Sequence, residues 1–174
     1  MNIRIAQAGD ESSIAQVIVQ TWKAAYRGIV SDSFLDTMTT EKHEVLFRDH
    51  ISQQSETILV LENEVGKIVG MVSGGRDRSG SCDCELVAIY ILPGYQKKGY
   101  GSGLFRGLVE KHKKNQYRSM LIWTFQDNRD RGFYETLGGV VREEKTISFD
   151  GPDIPIVCYM WQDITALPGK SERG

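Results

Sequence analysis

The sequence predicts an α/β (α+β) fold, a mixed sheet with helices packed against it, and three observations carry that prediction. Two pairs of strand-like segments, 57–61 with 68–72 and 140–149 with 154–161, are separated by turn residues and read as hairpins. Between them, an apolar run at 85–92, an amphipathic stretch after 100 and a second apolar run at 120–125 form a strand–helix–strand unit. Near the start, Ile14, Val17, Ile18, Trp22 and Ala25 recur at helical spacing. Hairpins mixed with a strand–helix–strand crossover imply antiparallel and parallel pairs in one sheet.

Along the chain, Ile3 and Ile5 alternate with polar neighbours as a short opening strand, and Asp10 and Glu11 are placed to start the first helix. Gly28 is expected to end it. Residues 31–53 read as a second helical region, with Ser31 or Asp32 and then Thr40 as start signals. Glu64-Val65-Gly66 turns the first hairpin, and 74–81 reads as a polar, glycine-rich loop. Glu85 to Leu92 is the most apolar strand and is expected at the centre of the sheet, ended by Pro93-Gly94. Leu104, Phe105, Leu108 and Val109 mark one face of a helix running to about Asn115. Arg131 to Leu137 is a short helix stopped by Gly138-Gly139, and the closing hairpin turns about Asp150-Gly151-Pro152. The expected organisation is one domain over 1–165 and a flexible tail over 166–174.

Composition excludes several function classes. The chain has 174 residues, 40% hydrophobic and 25% charged, as expected of a globular domain. Its 21 basic and 23 acidic residues give a formal charge of -2, so no overall basic field suits nucleic acid or an anionic membrane. Cys82, Cys84 and Cys158 lack the spacing of a zinc site and read as free thiols, and no metal is expected. With no leader-like start and no run of about 20 apolar residues, a cytoplasmic location is expected.

The chemistry-bearing segment is Gln96-Lys97-Lys98-Gly99-Tyr100-Gly101-Ser102-Gly103, between a strand and a helix. The first N–H groups of a helix lack intrahelical partners and carry partial positive charge, which suits an anion. Glycines let a pyrophosphate approach the backbone, and Lys97 and Lys98 add charge at its rim. The segment has no Gly-Lys-Ser/Thr of a P-loop, and Leu104 stands where a dinucleotide fingerprint requires its third glycine.

Gln96-x-x-Gly99-x-Gly101 resembles the Gln/Arg-x-x-Gly-x-Gly/Ala motif of the GNAT superfamily of acetyl-CoA-dependent N-acetyltransferases. Leu86 to Tyr95 resembles that family's central strand and its exit, and Phe133-Tyr134-Glu135-Thr136-Leu137-Gly138 resembles its Phe/Leu-Tyr-Glu-x-Leu-Gly signature. Trp22 to Ile29 is similar to the first helix and turn of its small-molecule and ribosomal-type branches. The resemblance covers about residues 2–163. It implies a sheet splayed between its fourth and fifth strands and acetyl-CoA as acetyl donor. The pyrophosphate would lie on the main-chain N–H groups of Lys97, Lys98, Gly99, Tyr100, Gly101 and Ser102, next to Gln96. Pantetheine would lie along Ile89, Tyr90 and Ile91.

The resemblance also assigns roles. Tyr134 corresponds to the tyrosine directed at the CoA sulfur, and Glu85, eleven residues before Gln96, to a carboxylate several members use as general base. Simple alternation would put Glu85 on the face of Val87, Ile89 and Ile91 until the strand is distorted. A base is useful because an alkylammonium of pKa ~10.4 is neutral in only about one part in 2,500 at pH 7, a cost of roughly 4.6 kcal/mol. Asn128 resembles a cofactor-contacting asparagine, but Tyr134 follows it by six residues where the family has seven, and Asp127 holds the expected interval. Trp22, Tyr26 and Phe34 are candidates for the acceptor wall, with core packing the competing role for Trp22, and His112 in Lys111-His112-Lys113-Lys114 reads as part of a solvated helix end. The expected reaction is direct transfer in a ternary complex to a primary amine on a small molecule. A peptide N-terminus or lysine as acceptor, a non-catalytic acyl-CoA-binding module and a homodimer formed through edge strands stay open.

Overall fold

The computed structural model describes residues 1–148 and 151–168. The elements are β1 (Asn2–Ile5), α1 (Glu11–Ala25), α2 (Asp32–Thr37), α3 (Thr40–Gln53), β2 (Thr57–Glu62), β3 (Ile68–Arg76), β4 (Cys84–Ile91), α4 (Tyr100–Lys114), β5 (Met120–Phe125), α5 (Gly132–Thr136), β6 (Val140–Ile147) and β7 (Ile154–Trp161). Short 3-10 turns follow β4 at Pro93–Tyr95 and β7 at Ile164–Ala166. The seven strands form one sheet in the order β1-β2-β3-β4-β5-β7-β6. Its neighbours are antiparallel except for the parallel pair β4 and β5. This is the mixed sheet with flanking helices that the hairpins and the crossover predicted.

Several boundaries differ from the sequence reading for local reasons. Asp10 stands at the N-cap of α1, but its side chain caps nothing there. Arg4 takes both carboxylate oxygens, at 2.6 and 3.0 Å, and the Gln7 N–H donates to one of them at 2.8 Å. Arg4 also reaches Glu62 at 2.7 Å, so β1, β2 and the start of α1 share one ion cluster. Helix α1 stops at Ala25, before Gly28. The 31–53 region is two helices, and the Ser31 hydroxyl accepts from the Phe34 N–H at the start of α2. The expected 74–81 loop begins late, because Gly74, Gly75 and Arg76 pair with β4. The turn expected about Asp150-Gly151-Pro152 falls partly on residues outside those described. So does the tail from Gly169, whereas Leu167 packs on the core and its carbonyl accepts from Lys113 Nζ at 2.9 Å.

The sheet is covered on both faces. Leu104, Phe105, Leu108, Val109 and His112 form one stripe of α4 and are buried against Leu59, Leu61, Val72, Leu86 and Met120. Removing each large apolar side chain from water is worth about 1.5–3 kcal/mol. On the opposite face, Ile14, Val17 and Ile18 of α1 and Phe47 of α3 pack on Ile58, Val60, Ile68 and Met71. His112 is therefore not on a solvated helix end: it is fully buried, and among the described residues neither ring nitrogen makes a well-aligned hydrogen bond, the Glu85 carbonyl being its polar neighbour. The face of α4 looks inward at that position despite its lysine neighbours, because 112 continues the 104–108 spacing.

Candidate active site

The site arises where two strands part. Strand β4 pairs with β5 only at Cys84 with Met120 and Glu85 with Leu121. Just beyond, the register of β4 against β3 slips by one residue, from Gly74 opposite Leu86 to Ser73 opposite Ala88, which leaves Val87 as the extra residue of a bulge. From Leu86 onward the β5-facing edge of β4 has no strand beside it. A cavity of about 330 Å³ opens there, lined by Ile89, Tyr90 and Ile91 of β4, by Gln96, Lys97, Gly99, Gly101 and Ser102, and by Tyr134 of α5.

The turn into α4 is shaped by its glycines in separate ways. Gly99 is the N-cap at φ 80, and Lys97 also has a positive φ of 59, so the backbone curls before the helix starts. The first helical hydrogen bond there is from the Gly103 N–H to the Gly99 carbonyl at 3.2 Å, which leaves the preceding N–H groups without partners in the helix. Gly101 packs under Phe133, whose ring would lie 3.2 Å from a Cβ. Gly103 faces the opposite way from a ligand, since its Cβ would meet Ile3 at 3.1 Å. Gly103 thus serves the close approach of α4 to β1, not access to the turn.

The side chains expected to serve the turn divide likewise. Gln96 Nε2 donates to the Ile91 carbonyl at 2.8 Å and ties the turn to the end of β4. Lys97 lines the cavity, whereas Lys98 donates to the Gly94 carbonyl at 3.2 Å and lies over the Tyr95 ring; neither Lys98 nor Tyr100 is among the lining residues. Asn128 lines it too, with its side chain held by the loop: Nδ2 donates to Thr124 at 3.0 Å and Oδ1 accepts from the Asp130 N–H at 3.0 Å.

Tyr134 is 6% exposed and stacks at a tilt on Tyr159. Burial, helped by the nearby Tyr90, Asp130 and Tyr159, holds its hydroxyl above the usual phenol range, so it remains a proton donor. Tyr26 and Tyr90 share the cavity and are raised chiefly by burial; the Tyr90 hydroxyl has Trp22 and Tyr26 as hydrogen-bonding partners. Trp22 itself does not line the cavity and stands edge-on to Tyr26 and Phe125, so it supports the wall from behind.

Glu85 is not among the lining residues. The bulge changes its face: Cys84 and Leu86 lie in the cluster under α4, as do Ile89 and Ile91 after the slip, so Glu85 shares the other face with Ala88 and Tyr90. Unbroken alternation, which would have aligned it with Ile89 and Ile91, is thereby corrected. Its side chain is 16% exposed, with Arg78 at 3.7 Å. Burial raises its carboxyl above the ordinary range, partly offset by Arg78 and reinforced by Asp77 and Glu56.

Thr21, Ala25, Asp130 and Phe133 also line the cavity. The first two sit four apart on α1, one turn of helix, a spacing that could have singled them out. Asp130 had no such signal, because its position depends on the turn after β5. The thiols lie elsewhere, and burial pushes Cys84 up to about 12 and Cys158 up to about 11. Among the described residues no helix is long and apolar enough to cross a membrane, and no group of three His, Cys, Asp or Glu side chains could hold a metal ion.

The uncharacterized N-acetyltransferase YuaI of Bacillus subtilis is 27% identical over 169 residues, 96% of each chain. A GCN5-related N-acetyltransferase from Rhodopseudomonas palustris superposes with a TM-score of 0.75 at 18% identity, over 92% of this chain and 94% of that one. The PaiA N-acetyltransferase of Thermoplasma acidophilum, solved with coenzyme A, gives a TM-score of 0.69 at 21% identity, over 90% and 98%. The acetyltransferase (GNAT) family pattern matches residues 18–138, and the chain belongs to that family.

Proposed function

We propose that this protein transfers the acetyl group of acetyl-CoA to a primary amine on a small molecule, by direct attack in a ternary complex, within a single domain over residues 1–165. The observation that carries the reading is the cavity where β4 leaves β5, with the start of α4 at one wall and Tyr134 at another. The donor set fits the cosubstrate: N–H groups and Lys97 for a pyrophosphate, and an unpaired sheet edge for an amide-bearing arm.

When bound, acetyl-CoA supplies an activated thioester. Main-chain N–H groups from Lys97 to Ser102 hold the pyrophosphate oxygens, and Gln96 keeps their turn docked on β4. The edge at Ile89, Tyr90 and Ile91 orients the pantetheine arm, and Asn128 contributes at the facing loop. The Tyr134 hydroxyl donates a hydrogen bond to the leaving sulfur. Full proton transfer from a phenol of raised pKa to a thiolate is uphill, so a hydrogen bond is the economical role. Glu85 draws the amine proton through water, since it stands outside the cavity on the face of Tyr90. Tyr26 borders the acceptor, backed by Trp22. Direct attack is favoured over an acyl-enzyme because none of the three cysteines lines the cavity.

The test is calorimetry with acetyl-CoA followed by an acetylation screen over small amines, peptides with free N-termini and lysine peptides. The expected result is one binding site and turnover of small primary amines. Binding without acetylation of any acceptor would instead identify an acyl-CoA-binding module.

A further inference from the structure

Tyr134 sits in the middle of α5, a helix of five residues. So short a helix is not stable by itself, and its place is set by what holds it from outside. Strand β7 supplies two such holds, from side chains two residues apart on one face. The Tyr159 hydroxyl donates to Glu135 Oε1 at 2.8 Å, and the Trp161 indole N–H donates to the Leu137 carbonyl at 2.9 Å. The second hold completes the end of the helix, where carbonyls lack partners within it. The Tyr134 carbonyl accepts from the Gly139 N–H and the Glu135 carbonyl from the Gly138 N–H, both at 2.9 Å, and Trp161 meets the carbonyl of Leu137. The indole comes this close because residue 139 has no side chain. A Cβ there would lie 2.8 Å from Trp161 Cζ2 and 2.9 Å from the Tyr134 carbonyl oxygen. Trp161 is 3% exposed, and its ring packs at a tilt on Phe105 of α4, with centroids 5.2 Å apart. One indole thus joins the helix that opens with the glycine turn to the helix that carries Tyr134.

We infer that Trp161 and Tyr159 are positioning residues for Tyr134: their two hydrogen bonds fasten α5 to β7, so that the Tyr134 hydroxyl meets the cavity at a fixed place. This deepens, and rests on, the acetyl-transfer reading with Tyr134 as the donor to sulfur. Neither Tyr159 nor Trp161 is among the lining residues, so both act through α5 and not by touching a ligand. The two holds flank Tyr134, one on the next residue and one at the helix end, while the Tyr159 ring stacks on the Tyr134 ring itself. A hydrogen bond weakens steeply with distance and angle, so a donor on a loosely held single turn would lose most of its effect on a developing thiolate.

Acetyl transfer from acetyl-CoA to pentylamine is measured for Trp161→Phe and Tyr159→Phe, each in the wild-type chain and in the Tyr134→Phe chain. Both substitutions keep an aromatic ring and remove one donor. Each is expected to lower kcat by about fivefold, the worth of one intramolecular hydrogen bond, with KM for acetyl-CoA within about twofold. In the Tyr134→Phe chain the same substitutions should change kcat by less than about twofold, because no hydroxyl remains to be placed. Equal losses in the two backgrounds, an unchanged kcat in the wild-type background, or a rise in KM alone would overturn the inference, since a merely structural tie acts whether or not the hydroxyl is there. The tie is also read without turnover, from the fluorine NMR signal of fluorotyrosine at position 134 in the coenzyme A complex. Tyr159→Phe leaves the stacked ring in place, so the signal should shift or broaden as α5 loosens. An unmoved signal would overturn the tie even where turnover falls. A signal that moves in a protein that acetylates no amine would defeat the transferase reading and leave the tie standing.

Discussion

Glu85 is the last residue of β4 to pair with β5, opposite Leu121, and every cavity-lining residue of β4 lies beyond it. The bulge at Val87 lets one strand serve two purposes. Before it, β4 closes the sheet; after it, Ile89 and Ile91 keep their hold on the α4 cluster while the strand's edge is left unpaired. Such a slip is a local way to open a gap in a sheet without losing the core on either face.

That gap ends at Tyr134, which supplies the first prediction. Tyr134→Phe removes one hydroxyl and preserves a ring packed on Tyr159 and Phe133. Turnover is expected to fall by at least about tenfold, below the roughly hundredfold or more of a full proton transfer, because the hydroxyl contributes a hydrogen bond. Acetyl-CoA affinity by calorimetry should stay within about twofold. Wild-type turnover in this variant would remove Tyr134 from the chemistry.

Glu85 separates stability from activity. Its carboxyl is raised in the folded protein, so folding takes up a proton between its unfolded and folded values, and stability falls as pH rises through that window. Glu85→Gln should therefore raise the melting temperature at neutral pH, and the gain should vanish below about pH 4.3, where the unfolded carboxyl is also protonated. The Arg78 contact subtracts little, because Arg78 is 75% exposed. Turnover should move the other way: wild type loses activity on acidification as Glu85 protonates, and the variant loses that acid limb. Matching pH–rate profiles would show that another base serves.

The turn offers a conformational test. A Cβ on Gly99 meets nothing within 4 Å, so Gly99→Ala is penalised through φ 80 alone. The cost is about 1 kcal/mol, or roughly 2–4 °C in melting temperature for a chain of this size. If the turn holds a pyrophosphate, acetyl-CoA affinity should drop by more than the affinity for a pantetheine fragment lacking phosphate. Equal losses on the two ligands would place the pyrophosphate elsewhere.

The sequence was most legible where periodicity and turn chemistry act locally. The α4 stripe from Leu104 to Val109, the succession of elements along the chain and the Gly99 turn could all be read, because each depends on neighbours within one or two turns of chain. The bulge at Val87 could not be read, since a slip is a relation between β3 and β4, and it inverted the face of Glu85. Asp10 was read as a helix cap because the partner that takes it, Arg4, lies on another element. Asp130 was missed for a related reason: it joins the cavity only once the fold sets the turn after β5 beside it.

His112 gives the last prediction. It is fully buried beneath β3, with Nε2 2.9 Å from where a Gly74 Cβ would sit. Burial pushes its pKa down to about 4, against a small opposing effect of the Glu85 carbonyl. The unfolded chain, with an imidazole near 6.5, then binds more protons than the folded one between pH 6.5 and pH 4. Stability must fall as pH drops through that window, by roughly 3 kcal/mol at its lower end. His43, also lowered by burial, acts in the same direction, so the comparison needs a variant at 112 rather than a pH scan alone. His112→Leu keeps an apolar side chain under Gly74 and removes the titrating group. Denaturant unfolding at pH 7 and pH 4.5 should show a smaller stability loss on acidification in the variant than in wild type. Parallel losses in the two proteins would mean that His112 opens to solvent before it titrates.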